Sequence, residues 1–430
     1  MINQNLYNLG KKIFNINRSI TGKGVKKTLV IFKKELKKLK IKKISSGTNV
    51  FDWKIPPEWN VKEAYVKDKF GKKIIDIKKN NLHLVSYSKP CKIILKKDKL
   101  LKKIHSLKNQ PNAIPYVTSY YKKYWGFCET QKKKDLIKKN YSINDKFLVK
   151  INSKFNKKGF LTYGELLIPG KSKKEILIST YICHPQMANN ELSGPIVSIA
   201  IAKFFSKKKN DKTLRFLFIP ETIGSISYIK KNLDNLKKNV VAGYVLSCVG
   251  DERNYSLLTT KYGNTISDKA AKTAFSKLKI KYKTYSFLDR GSDERQFNSP
   301  GVDLPIASIL KTKYGEYSEY HTSLDNFKIV TIKGLNQSFK VVRKTIEILM
   351  KKTIPISKKI CEPFLNKKNL YESLNEKKIT NLRTLSKDIL NFLQFSDGKN
   401  DLADISKRIN ISKRKTRQLY SILLKKKLIE

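Results

Sequence analysis

The first 45 residues repeat apolar positions at three- and four-residue spacing, most clearly in VKKTLVIFKKELKKLK, and that period predicts amphipathic helix. From about 48 to 145 the texture changes. FDWKIPPEWNVKEAYVKD, KKIIDIKKNNLHLVSYS and AIPYVTSYYKKYWGFC are short β-prone runs broken by Pro and Asn. All three tryptophans, Trp53, Trp59 and Trp125, fall in this stretch, where they are expected to form a small core. Between about 160 and 350 the strand-like runs LTYGELLIPG, EILISTYIC, TLRFLFIP, AGYVLSCVG and VDLPIASIL alternate with helical segments. Alternation of this kind predicts a largely parallel sheet covered by helices on both faces. After Pro355 and Pro363 the chain ends in DLADISKRINISKRKTRQLYSILLKKKLIE. Two short helices around INIS and a hydrophobic exit predict a helix-turn-helix within a winged helix.

The expected division is therefore an α/β core from residues 1–47 and 146–355, an inserted β-rich domain over 48–145, and a winged-helix domain over 365–430. With 430 residues, 40% of them hydrophobic, the chain has room for two or three domains and enough apolar surface to exclude wholesale disorder. Its formal charge of +56 would ordinarily point to nucleic acid. Here lysine far exceeds arginine and is spread along the whole chain, so the charge reads as solvated surface. DNA contact through SKRKTRQ in the last helix stays open but is not favoured. Five cysteines lie far apart with no CxxC, which indicates neither a disulfide framework nor a cysteine zinc knuckle. The start, MINQNLYNLGKKIFNINRS, lacks a signal-peptide core, and no apolar run reaches bilayer length; a cytoplasmic location away from membranes is expected.

Four loops follow the strands of the α/β block: CHPQMANNELSG, PETIGSISY, SCVGDERNYS and KYGEYSEYHTSLDN. In an open α/β sheet such loops gather at the carboxyl edge, which would bring together His184, Glu191, Glu221, Asp251, Glu319 and His321. The chain has only four histidines, and two sit in these loops. Imidazole and carboxylate are the usual zinc ligands, and a spare glutamate can activate bound water. His83 and His105, in the inserted stretch, are expected to be structural. Asn190 or Glu191 has a plainer reading as the cap of the helix that follows.

On these residues the chain resembles the zinc-dependent aminopeptidase superfamily, which includes bacterial aminopeptidases and glutaminyl cyclases. More closely, RSITGKGVKKTL, FDWKIPPEWN, TYGELLIPG, CHPQMANNELSGP, GSDERQFNSPGVDLP and KYGEYSEYHTSLDN resemble a bacterial family of aminopeptidase-like proteins with an inserted β domain and a C-terminal winged helix. The resemblance spans nearly the whole chain. It implies a zinc-exopeptidase-like mixed sheet flanked by helices. His184 and His321 stand at the first and last metal-histidine positions, and Glu221 at the general-base position. The pattern also departs from the superfamily's. Gln186 replaces an aspartate, Asn190 stands at the bridging-aspartate position with Glu191 beside it, Thr222 replaces a second glutamate, and a later aspartate position falls near Ser247, four residues from Asp251. Without a bridging anion the resemblance implies one zinc ion, held by His184, His321 and Glu191, with Glu221 taking the proton from water. Asn190, Asp293, Arg295, Tyr317 and Glu319, with Tyr314 and Tyr320, are the expected substrate contacts. Arg295 is suited to reading a carboxylate, or else to an internal ion pair with Asp293 or Glu294. The expected activity is hydrolysis of an amide, as an aminopeptidase or as an amidase on a small amino-acylated metabolite. The resemblance also implies a link to polysaccharide biosynthesis. The alternative is a peptidase-like binding or regulatory protein that has lost its chemistry and whose winged helix meets DNA or a protein partner.

Overall fold

The run Ile176-Leu177-Ile178 is buried on both faces of its strand, as expected for the middle of a parallel sheet. In the computed structural model, which describes residues 1–370 and 385–430, this strand, Ser172–Tyr181, is central to an eight-stranded mixed sheet. It pairs in parallel with Lys212–Ile219 on one side and Val240–Leu246 on the other, and Val240–Leu246 pairs in parallel with Ile306–Leu310. Phe160–Ile168 and Lys40–Ser45 extend the sheet antiparallel at one end, and the short strands Ser256–Leu258 and Lys283–Tyr285 close the other. The chain leaves Ser172–Tyr181 to build a neighbour on one side and later returns to build on the other. The crevice beyond Tyr181 is thus a switch point, where open sheets of this kind bind ligands.

Alternating side chains divide the core. Ile176, Ile178, Phe216 and Tyr244 pack under the helices Gln4–Phe14, Lys23–Glu35, Ser193–Phe205, Ile266–Lys277 and Ile332–Met350. Leu177, Leu217, Val245 and Ile306 face the opposite way, against the helix Ile223–Asn239. That second cluster continues without a break into Trp59, Val66, Trp125, Phe127 and Phe147, from a separate antiparallel sheet of Lys73–Asp76, Glu58–Lys67, Lys146–Asn156 and Cys91–Lys96 and the segments around it. Two of the three tryptophans are core residues as expected; Trp53 is 42% exposed and is not. The strand Lys146–Asn156 lies past residue 145, because its alternating apolar residues pair with Glu58–Lys67 before the chain re-enters the central sheet. The helical period expected up to residue 45 breaks at Leu36, and Lys40–Ser45 forms an edge strand instead.

The C-terminal helices Leu385–Gln394, Leu402–Arg408 and Lys413–Lys425 enclose their own apolar cluster around Ile389, Phe392, Ile405 and Leu419. Ile356 and Glu430 exchange backbone hydrogen bonds, so the segment just before residue 365 belongs to this unit. Residues 371–384, included in the 365–430 expectation, lie outside the described residues. Among the described residues no helix is long and apolar enough to cross a membrane.

Candidate metal and catalytic site

The Ser172–Tyr181 strand ends at Tyr181, and His184 follows on the loop beyond. Met187 leads into a single π turn, Ala188–Leu192, that opens directly into the helix Ser193–Phe205. Such turns re-aim side chains within a helix and recur at functional sites. Gly194 makes the junction possible: a Cβ there would lie 2.2 Å from the Leu246 carbonyl oxygen. The turn is fastened by Asp325, which accepts the backbone N–H groups of Ala188, Asn189 and Asn190 and the hydroxyl of Tyr317. Burial works against its charge and moves its pKa up to about 6 despite those bonds.

This geometry sends Glu191 away from the cavity. Its carboxylate lies 2.8 Å from His184 Nδ1, and Arg18, with no exposed surface, stands 3.4 Å from its other oxygen. Arg18 is itself anchored, donating from Nε to the His184 carbonyl and from Nη1 to the Ile13 carbonyl. The other ring nitrogen of His184, Nε2, is 3.6 Å from Glu221 Oε2. Burial disfavours charge on His184, yet its acidic surroundings outweigh burial and hold its pKa well above the ordinary value. Burial pushes the neighbouring Cys183 thiol up to about 11.

Glu221 sits on a strained turn. Thr222 has φ 62°, unusual for a β-branched residue and costly unless its surroundings fix it. They do: Asp293 accepts the Thr222 N–H at 2.8 Å, and Arg295 donates to its hydroxyl at 2.6 Å. Ser292 donates to Glu221 Oε1 at 2.7 Å, and burial raises the Glu221 pKa against the pull of His184. His321 arrives from the last loop, also at positive φ, with Tyr320 stacked on it at 3.9 Å. The two imidazole centroids are 5.4 Å apart, and Tyr116 from the inserted stretch packs edge-on against both. His321 Nε2 is buried without a hydrogen-bond partner, and burial followed by the His184 charge lowers its pKa to about 3. It is a neutral nitrogen donor with nothing to bind.

His184, Glu221 and His321 are thus brought together, while several other expected contacts are not. Glu191 lies behind His184, against Nδ1 and Arg18, and within 4.8 Å of the donor atoms of Cys183 and His184. Asp293 and Arg295 fasten the turn that carries Glu221. Tyr317 is buried against Asp325 and Cys248. Glu319 is committed to a bidentate pair with Arg253 that holds its pKa at about 2. The Asn190 amide donates to Tyr181 at 2.7 Å, leaves its own oxygen buried and unpartnered, and caps no helix. Asp251 serves Asn189 and Thr312. His83 and His105 bond to the Cys128 carbonyl and the Tyr124 hydroxyl within the inserted stretch. Arg18 and Asp325 had no sequence signal in a chain with 91 Lys and Arg residues, although RSIT and HTSLD carry them.

Among the described residues one grouping of three donors is close enough to hold a metal. Cys183, His184 and Glu191 lie within 4.8 Å of one another, but the guanidinium of Arg18 already neutralises that corner, and a second buried cation there would be repelled. On the cavity side the His184 and His321 rings, 5.4 Å apart by centroids, offer two nitrogens of the kind that zinc takes, with the Glu221 carboxylate 3.6 Å from His184 Nε2; these donors are spaced more widely than the Cys183 group. To ligate, His184 gives up the Nε2 proton and keeps Nδ1–H on Glu191, the orienting arrangement common to metal-bound histidines. A second ion would need an anionic bridge, and Asn190 and Thr222 offer none. The cavity holds about 410 Å³ and is lined on one wall by His184 and Glu221 and on the other by residues 118–122 of the inserted stretch.

Switch-point sheet, inserted β sheet and C-terminal winged helix define an aminopeptidase-like α/β protein. The chain belongs to the family described as a domain of unknown function, DUF4910, which it matches over residues 7–352, and residues 352–430 match a winged helix-turn-helix family. A relative from Clostridium acetobutylicum, named for polysaccharide biosynthesis with an aminopeptidase-like domain, is 40% identical over 99% of this chain and 96% of its own. A crystal structure from Clostridium acetobutylicum, of a protein described as a peptidase, superposes with a TM-score of 0.78 at 39% identity, covering 99% of this chain and 96% of that one. The zinc aminopeptidase BSAP of Bacillus subtilis has a TM-score of 0.59 at 14% identity over 82% of this chain and 97% of its own, a likeness of fold.

Proposed function

We propose that the protein is a metal-assisted amide hydrolase of the aminopeptidase type that holds one zinc ion through His184 and His321, with Glu221 as general base. The observation that carries this reading is the buried, unpartnered Nε2 of His321, beside a histidine whose other nitrogen is fixed by Glu191 and a glutamate raised in pKa by burial. When bound, the ion would polarise the scissile carbonyl and acidify its water. Glu221 takes a proton from the attacking water and returns it to the leaving nitrogen, a role suited to a carboxylate whose pKa has moved toward neutrality. Ser292 keeps Glu221 turned toward the cavity. Glu191 and Arg18 hold the His184 ring in its ligating orientation. The wall formed by residues 118–122 restricts the cavity to small or chain-end substrates.

The names of the relatives, peptidase and aminopeptidase-like, are in keeping with this reading. So is a division into an α/β core, an inserted β domain that supplies one wall of the site, and a winged helix. Five free thiols suit a reducing, cytoplasmic setting. The test is amine release from a panel of aminoacyl and acyl amides by zinc-loaded protein. Glu221→Gln should lower the rate roughly 100- to 10,000-fold while zinc stays bound. Zinc-loaded protein that releases amine from no member of the panel would contradict the proposal.

A further inference from the structure

The mouth of the His184–Glu221 cavity carries an aromatic surface that amide hydrolysis leaves unused. Trp53 and Tyr121, 42% and 52% exposed, both line the cavity, with ring centroids 5.8 Å apart at an interplanar angle of 66°. Trp59 and Trp125, by contrast, are 4% and 8% exposed. The backbone holds the pair in place. Trp53 begins the second strand of a tight hairpin, Asn49–Val50 with Trp53–Lys54, whose turn includes Phe51 at φ 52°. Tyr121 stands at φ 64° and donates its hydroxyl to the Lys54 carbonyl at 3.0 Å, joining the two segments. Non-glycine residues at positive φ cost energy and cluster at ligand sites, and exposed aromatic surface beside a reactive centre marks binding.

The rest of the lining is mixed, with Ile20, Cys183 and Ile223 apolar and several hydroxyls among them. Ser119 donates to the Ser86 carbonyl, the Tyr120 hydroxyl pairs with that of Tyr116, and Thr222 accepts from Arg295, yet each hydroxyl keeps hydrogen-bonding capacity to spare. Thr118 and Lys122 are exposed, with no side-chain hydrogen bond or ion pair among the described residues. A sugar ring has an apolar C–H face and a rim of hydroxyls, which matches an aromatic shelf bordered by donors and acceptors. The cavity, about 410 Å³, is in the range of small-molecule sites.

We propose that the cavity takes an N-acylated amino sugar, with its ring face on Trp53, its hydroxyls toward Thr118 and Lys122, and its acyl amide toward His184 and Glu221. Recognition of the sugar stands by itself; the chemical step rests on the hydrolase reading above. In that step the oxygen of water bonds to the acyl carbon and the C–N bond breaks. Glu221 carries the proton of water to the leaving nitrogen, so the products are a carboxylic acid and the free amino sugar.

The test uses the full-length Glu221→Gln protein, which binds without turnover, titrated with N-acetylglucosamine and with N-acetylphenylalanine amide by calorimetry and tryptophan emission. N-acetylglucosamine should bind more tightly and shift the emission. Trp53→Phe should remove the shift, and Trp53→Ala should weaken sugar binding about 10-fold. Trp53 is on an exposed hairpin, so both variants should melt with the parent. Tighter binding of the phenylalanine amide, or sugar binding indifferent to Trp53→Ala, would overturn the proposal. Wild-type protein that binds the sugar through Trp53 but cleaves no amide would leave the sugar site standing and remove the hydrolase reading. Cleavage of amides without sugar binding would do the reverse.

Discussion

His184 is gripped from behind by a chain of buried groups, Arg18 to Glu191 to Nδ1, which leaves Nε2 as the nitrogen offered to the cavity. Arg18→Met should therefore weaken zinc binding by roughly 10- to 100-fold, the usual cost of losing an orienting partner. Because Arg18 acts through Glu191, the same substitution in a Glu191→Gln background should add little, whereas additive losses would mean that Arg18 supports only the fold. His321 makes a pH prediction. Its pKa is about 3 in the folded chain against an ordinary 6.5, so between those values the unfolded chain binds a proton that the folded chain refuses. The stabilisation from keeping the ring neutral is complete above pH 6.5 and declines as pH falls toward 3. In metal-free protein, melting of the wild type should lose ground to His321→Asn on acidification, by at most about 1.4 kcal/mol per pH unit. A gap between the two that is constant from pH 7 to 4 would show that the ring is not held neutral.

Between strand and helix, the site depends on three irregular connections: the π turn at Ala188–Leu192, the positive-φ turn at Thr222 and the positive-φ His321. Their regular flanks were legible in the sequence. EILISTYIC, TLRFLFIP, AGYVLSCVG and VDLPIASIL form the central parallel strands, and the order of His184, Glu221 and His321 identifies three loops at one edge. The irregularities were not legible, because a π turn adds one residue to a helical register that sequence spacing reads as regular. Asp293 and Arg295 are expected substrate contacts, with an internal ion pair as the alternative for Arg295; the structure bonds them to the backbone and hydroxyl of Thr222, about 70 residues earlier, which only the fold brings near. The edge strand Lys40–Ser45 was missed because its lysines fit an exposed helix equally well. Gly194→Ala tests the tightest of these junctions. Its Cβ would meet the Leu246 carbonyl at 2.2 Å and the Thr180 hydroxyl at 2.3 Å, so the melting temperature should fall, with a cost of roughly 1–3 kcal/mol or more. An unchanged melt would mean that helix and strand separate more easily than their packing implies.

Across the whole chain, the inserted sheet shares a continuous apolar cluster with the underside of the central sheet and supplies Tyr116 and residues 118–122 to the site, whereas the winged helix has a cluster of its own. The winged helix touches the core through Lys269 with Asp404, Lys352 with Asp401 and Lys174 with Glu430. These are ion pairs at least partly open to solvent, of the kind worth little individually. Ending the chain after Lys352 should leave a folded core with its zinc affinity intact, checked by melting and zinc titration; insoluble protein would make the winged helix part of the core. The claim beneath all of this is that His184 and His321 hold a single ion and that Glu221 works on the water beside it. Its most direct test is zinc per chain, measured after equilibration with excess zinc and removal of loosely bound metal, for the wild type, His184→Ala, His321→Ala and Glu221→Gln. The account predicts one ion in the wild type, none in either histidine variant, and one in Glu221→Gln. A wild type that keeps no zinc, or a His321→Ala variant that keeps as much as the wild type, would contradict it.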